Sequence, residues 1–217
     1  MAIMTITVIA HLVCLLGIVL ASGILAFFVR QLLKRIAELE RARVQAQTEA
    51  DTDHLTGVWS RRGGERRLNE ALRQVPCAVA YLDLDKFGRL NKEHGQAAGD
   101  KQLVEFTKFL AARFRRSCDT VYREGGDEFV VVMPALVRYP DALSLASQEP
   151  QPDPLHLAEM YLQRNLEEIT HQSGIPFTFG VITTRQYPIG KVLNQAKEEM
   201  RAAKRRKQFL IDAMEEV

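Results

Sequence analysis

From Met1 to Val29 the chain carries no Asp, Glu, Lys or Arg, and only His11 could bear a positive side-chain charge there. About 20 predominantly apolar residues suffice for a helix to cross a bilayer, and a buried helix of a soluble domain rarely stays charge-free for so long. A secretory leader would open on basic residues, carry a shorter apolar centre and end at a small-residue cleavage site. This segment starts without Lys or Arg and runs on too far. Residues 1–29 are therefore expected to form an uncleaved transmembrane anchor. Arg30, Lys34 and Arg35 follow directly, and an excess of positive charge marks the cytoplasmic side. The expectation is a single-pass protein of the bacterial inner membrane, with its N-terminus in the periplasm and the rest of the chain in the cytoplasm. No large periplasmic sensor is expected from so short a segment.

Beyond the apolar run, Val29, Leu32, Ile36 and Leu39 repeat at heptad spacing, and Ala46 and Ala50 resume the register after Arg43. Residues 30–51 thus read as a helical stalk that could pair as a short parallel coiled coil. Its charged residues would equally suit a solvated helix. The formal net charge of +2 gives no electrostatic case for nucleic acid as a partner. The basic run Lys204, Arg205, Arg206 and Lys207 reads as a solvated helix face. Cys14, Cys77 and Cys118 are far apart, without a paired framework, which points to reduced thiols.

The remainder, 52–217, alternates between two periodicities. Leu68, Leu72 and Val75 sit at helical spacing, and Cys77 to Leu84 is a continuous apolar run ending in acid, as a buried strand would be. Leu103, Phe106, Leu110 and Phe114 mark a helix, and Thr120 to Arg123 and Phe129 to Met133 mark strands joined tightly by Gly125 and Gly126. Leu155 to Ile169 gives another helix, Phe177 to Thr183 a strand, and Leu193 to Ala203 a final helix. The order β, α, β, β, α, β implies an α/β (α+β) sandwich, with helices on a mainly antiparallel sheet, in the manner of ferredoxin-like and polymerase-palm layouts. Prolines 140, 150, 152 and 154 suggest an extended surface loop over 135–154.

Asp83 falls at a strand end, and Asp127 and Glu128 at the hairpin turn. Hard carboxylate oxygens in such a place suit magnesium, which keeps several waters and needs only one or two carboxylates beside substrate phosphates. Acids and glycines are also ordinary turn residues.

The segment from Arg123 to Phe129 reads Arg-Glu-Gly-Gly-Asp-Glu-Phe and contains the signature of the GGDEF diguanylate cyclase family, which this chain resembles. Four further blocks agree in order: Asp53-His54-Leu55-Thr56-Gly57 with Arg61-Arg62; Asp83 to Phe87 with Asn91, Gly95 and Gly99-Asp100; Arg116-Ser117-Cys118-Asp119; and Lys197 with Arg201. The resemblance spans residue 51 to about residue 209. It implies a nucleotidyl-cyclase, palm-like domain that condenses two GTP into cyclic di-GMP with release of two pyrophosphates, across a homodimer. It further implies that Asp83, Asp127 and the carbonyl of Leu84 hold Mg2+, with Mn2+ as the alternative ion. Asn91 and Asp100 would bind the guanine, Gly125 and Gly126 would let the nucleotide approach, and Lys197 and Arg201 would meet the terminal phosphates. Glu128, with Asp127, would be catalytic, and Arg116 and Asp119 would bind the product as an inhibitor.

The chain departs from the family pattern at Ser60, Gly88, Lys92, Gln96, Gly190, Asn194 and Met200. None of these is an expected metal or guanine ligand. The competing expectation is a catalytically weak or inactive domain that serves as a cyclic di-GMP receptor through Arg116 and Asp119.

Overall fold

The computed structural model describes the backbone of residues 2–135, 153–185 and 188–215; the side chains of 2–16, 18–21 and 215 lie outside the described residues. The chain divides into two compact units, 1–48 and 49–217. The first is part of a helix, α1 (Ala2–Asp51). Leu32, Ile36 and Leu39 stand exposed on it. Among the described residues no helix is long and apolar enough to cross a membrane. The expected anchor at 1–29 rests mostly on residues whose side chains are not described.

The second unit runs α2 (Arg61–Gln74), β1 (Cys77–Leu84), α3 (Phe87–His94), α4 (Gln96–Arg113), β2 (Thr120–Gly125), β3 (Glu128–Pro134), α5 (Pro154–Ser173), β4 (Phe177–Thr184) and α6 (Ile189–Glu215). The four strands form one sheet in the order β2-β3-β1-β4, and every pairing is antiparallel. This is the expected α/β layout, with strand limits within one or two residues of those read from the sequence. The surface loop expected over 135–154 falls almost wholly on residues 136–152, outside the described ones.

Strand β1 explains its own unbroken apolar run. It is central, and helices cover both of its faces, so alternate residues are buried on opposite sides. Ala78, Ala80, Leu82 and Leu84 join Leu103, Phe106 and Leu110 of α4 and Leu162, Leu166 and Ile169 of α5 in one cluster. Cys77, Val79 and Tyr81 join Leu68 of α2 and Val192, Ala196 and Met200 of α6 in the other. Phe106 anchors the first cluster, its ring centroid 5.4 Å from Phe129 and 4.9 Å from Phe177.

Helix α2 begins at Ser60, whose hydroxyl accepts from the Gly63 N–H at 3.3 Å, and this satisfies one of the amides that a helix start leaves unpaired. Between β1 and α4 the sequence pattern gave no element, because the two turns of α3 bury none of their residues. Lys86, at φ 59°, turns the chain from the strand into α3.

Candidate active site

The sheet register brings the acids together. Asp83, next to last on β1, lies opposite Glu128 at the first position of β3 and opposite Thr178 on β4. Gly125 pairs with Glu128, so Gly126 and Asp127 form a two-residue hairpin turn. Such a turn needs a positive φ, and Gly126 supplies it at 53°. The Leu84 N–H donates to the Asp127 carbonyl at 3.3 Å, tying the end of β1 to the hairpin tip.

Arg123 fastens the tip from beneath. Its guanidinium donates to the Gly126 carbonyl from Nε (2.9 Å) and a terminal nitrogen (2.7 Å), and lies 3.2 Å from Asp53 Oδ1. That same oxygen accepts from the Thr56 N–H (2.9 Å) and hydroxyl (2.6 Å). Burial acts to raise the Asp53 pKa, but the Thr56 hydrogen bonds and Arg123 outweigh it and hold the carboxyl below its ordinary value.

Four cationic or hydroxyl groups surround the acids. Tyr81, two residues before Asp83 and therefore on the same face of β1, donates its hydroxyl to Glu128 Oε2 at 2.8 Å. Burial and the Glu128 carboxylate push that phenol well above the usual tyrosine range. Lys197 of α6 lies 2.6 Å from Glu128 Oε1 and donates to the Tyr81 hydroxyl at 3.1 Å. Lys204 pairs with Asp83, and Lys207 meets Asp85 Oδ2 at 2.6 Å. The basic run 204–207 is thus not simply a solvated face: Lys204 and Lys207 turn onto the acids at the end of β1. Lys204 follows Lys197 by seven residues, two helical turns, and this spacing was the available signal for it.

Asp127 lies within electrostatic reach of Asp83. Burial first, and then the neighbouring Asp83 carboxylate, push the Asp127 pKa above the ordinary carboxylate value, so the two acids bear on a common region. Among the described residues no three His, Cys, Asp or Glu gather closely enough to hold an ion alone. Two carboxylates match what magnesium asks of a protein when water and phosphate oxygens complete its coordination.

Asn91 is held in α3 against Gly99 of α4. A Cβ on Gly99 would stand 2.0 Å from Asn91 Oδ1, so a larger residue there would turn the Asn91 amide aside. That oxygen is buried and has no hydrogen-bond partner. Asp100, the next residue, lines an open cleft of about 720 Å³ with Leu55, Val104 and Phe109. Arg201 is not drawn in with Lys197: it is half exposed and pairs with Glu198 at 2.7 Å.

Arg116 and Asp119 form a separate cluster at the start of β2. Arg116 Nε is 3.4 Å from Asp119 Oδ2, and its guanidinium lies over the Tyr161 ring of α5 at 5.1 Å. Burial raises the Asp119 pKa against the lowering effect of Arg116. Tyr81, Arg123 and Lys204 were not foreseen as site residues.

The sheet order and the acid-bearing β2–β3 hairpin beside the central β1 define a GGDEF-type α/β domain. Residues 50–209 match the family described as diguanylate cyclase, GGDEF domain. The chain belongs to the GGDEF diguanylate cyclase family. It is 36% identical over 115 residues to the diguanylate cyclase TpbB of Pseudomonas aeruginosa, covering 51% of this chain and 26% of that protein. It is 34% identical over 121 residues to the response regulator PleD of Caulobacter vibrioides, covering 53% and 26% respectively. The chain thus aligns with about a quarter of the length of these relatives. Among solved structures, the diguanylate cyclase SiaD of Pseudomonas aeruginosa, crystallised with its activator SiaC, superposes with a TM-score of 0.56 at 26% identity, over 82% of this chain and 67% of that one. The coiled coil and GGDEF domain of DgcB from Caulobacter crescentus shares the fold, with a TM-score of 0.60 at 19% identity, over 81% and 93%.

Proposed function

We propose that the protein condenses two GTP into cyclic di-GMP at the interface of two copies of the chain. The observation that carries this reading is the register that sets Asp83 opposite Glu128, with Asp127 in the adjoining turn and Lys197 on Glu128. Guanine offers N1–H and N2–H₂ donors to an amide oxygen and a carboxylate, whereas adenine has neither at those positions. Asn91 Oδ1, buried and without a hydrogen-bond partner, and Asp100 would select guanine through these donors.

Each 3'-hydroxyl attacks the α-phosphorus of the partner's GTP, a new P–O bond forms, and the bond to the β-phosphate breaks to release pyrophosphate. Bound through Asp83, Asp127 and the Leu84 carbonyl, magnesium would supply charge neutralisation at the phosphates. Glu128, held by Tyr81 and Lys197, would receive the hydroxyl proton. Lys197, and Arg201 once released from Glu198, would meet the leaving pyrophosphate. Facing the two nucleotides correctly contributes about 7–11 kcal/mol of the barrier reduction.

The exposed apolar stripe of Leu32, Ile36 and Leu39 supports pairing through the stalk, which would raise the local concentration of the second domain. The charge-free segment 1–29 followed by Arg30, Lys34 and Arg35 supports an inner-membrane anchor with a cytoplasmic domain. Arg116 and Asp119 would bind the product and slow the enzyme.

Incubating the full chain with GTP and Mg2+, then separating products by chromatography, tests the reading: cyclic di-GMP and pyrophosphate should form, and Asp127→Ala should abolish them. The ion pair of Lys204 with Asp83 favours a second reading, a weak cyclase that chiefly senses the product. Absence of turnover with Arg116-dependent cyclic di-GMP binding would select it.

A further inference from the structure

Helix α6 carries two lysines that the proposed reaction does not use. Lys204 ion-pairs with Asp83 and stands 4.0 Å from Asp85, while Lys207 takes Asp85 Oδ2 at 2.6 Å and approaches the Phe177 carbonyl at 3.5 Å. Asp85 is also held by the Thr178 hydroxyl at 2.8 Å. Each lysine is slightly under half exposed, whereas the side chains of Asp83 and Asp85 are only 16% and 12% exposed. The acids are therefore fixed and the ammonium groups are the movable partners.

We infer that Lys204 is a built-in counter-cation at Asp83, which a divalent metal must displace before the site can load. The inference deepens the proposed function, since it rests on Asp83 as a metal ligand. An ammonium and a divalent ion compete for the same carboxylate oxygens, and the lysine is tethered, so it is always present at high effective concentration. Its long stem can swing the charge aside without moving the helix. In the unloaded domain Lys204 offsets part of the repulsion between Asp83 and Asp127. In the loaded one its charge is released towards the solvent side of α6. The consequence is a raised metal requirement, so that site occupancy follows the concentration of free divalent ion.

The test is a titration of the full chain with Mn2+ alone, followed by the electron paramagnetic resonance signal of the free ion. Lys204→Met keeps the stem and removes the charge; it should bind Mn2+ about two- to five-fold more tightly than the parent, the range expected for losing one partly exposed ion pair. Lys207→Met, whose partner is Asp85, should change the affinity less. Asp83→Asn combined with Lys204→Met should abolish the gain. Wild-type or weaker Mn2+ binding by Lys204→Met, in a variant that keeps the parent's thermal transition, would overturn the inference. Because no nucleotide is present, the titration reads this competition even if the chain makes no cyclic di-GMP, and so separates a failure here from a failure of the cyclase assignment.

Discussion

Asp127 sits on a two-residue turn flanked by a one-residue bulge at Glu124, and Gly126, the other residue of the turn, has no carboxyl to replace it. Asp127→Ala should lower the rate of cyclic di-GMP formation by at least about 100-fold, the scale on which a lost electrostatic contact to a developing charge is felt. In the proposed reaction Tyr81 would act through Glu128, to which it donates its hydroxyl, rather than on the substrate. Tyr81→Phe removes the hydrogen bond given to Glu128 and the one taken from Lys197, each worth about 0.5–1.5 kcal/mol, and should slow turnover several-fold while leaving the affinity for GTP nearly unchanged. Asp119 gives a pH prediction. Its folded pKa is raised above 3.8, so the native state holds the proton more tightly than the unfolded chain, and its ionisation costs stability as pH rises through the folded value. The thermal midpoint of Asp119→Asn minus that of the parent should therefore increase between pH 3 and pH 7. A flat or falling difference would contradict the burial that sets the shift.

Among the elements, β1 and the β2–β3 hairpin decide where the acids stand. Phe106→Ala, emptying the space between Phe129 and Phe177, should destabilise the domain by about 3–5 kcal/mol in chemical denaturation. Arg123→Met should leave the core intact and loosen the turn that it holds to Asp53, seen as faster hydrogen exchange at the Gly126 and Glu128 amides. These strands were legible beforehand because their signals are local: an unbroken apolar run for a central strand, and glycines between two β-branched runs for a hairpin. Helix α3 was not legible, since it buries no residue and so imposes no apolar period. The same limit hid the partners of the site. That Asp83 and Asp127 belong together could be read from strand ends and turns, but that Lys204 reaches Asp83 across 121 positions is a product of how α6 lies on the sheet. Tyr81 was concealed differently, as one more large residue in an apolar strand.

At the scale of the whole molecule, turnover as proposed requires two chains, and the stripe along α1 is the place to interfere. Ile36→Glu combined with Leu32→Glu should shift the chain from dimer to monomer in sedimentation and cut turnover most at low protein concentration, with recovery on concentrating. Loss of activity without loss of the dimer would remove the stalk from the mechanism. The register Asp83 opposite Glu128, closed by the Gly126–Asp127 turn, has a further consequence for the gene. The β2 side already carries one extra residue, Glu124, between the Arg123–Phe129 and Gly125–Glu128 pairs, so a codon inserted between Gly126 and Glu128 would lengthen the turn itself and carry Asp127 away from the end of β1, which its carbonyl meets at the Leu84 N–H. The hairpin should therefore tolerate several substitutions more readily than any change of length. A screen of one-codon insertions and deletions through this stretch should return inactive, well-folded protein where point variants at Val130 or Val132 return active but less stable protein.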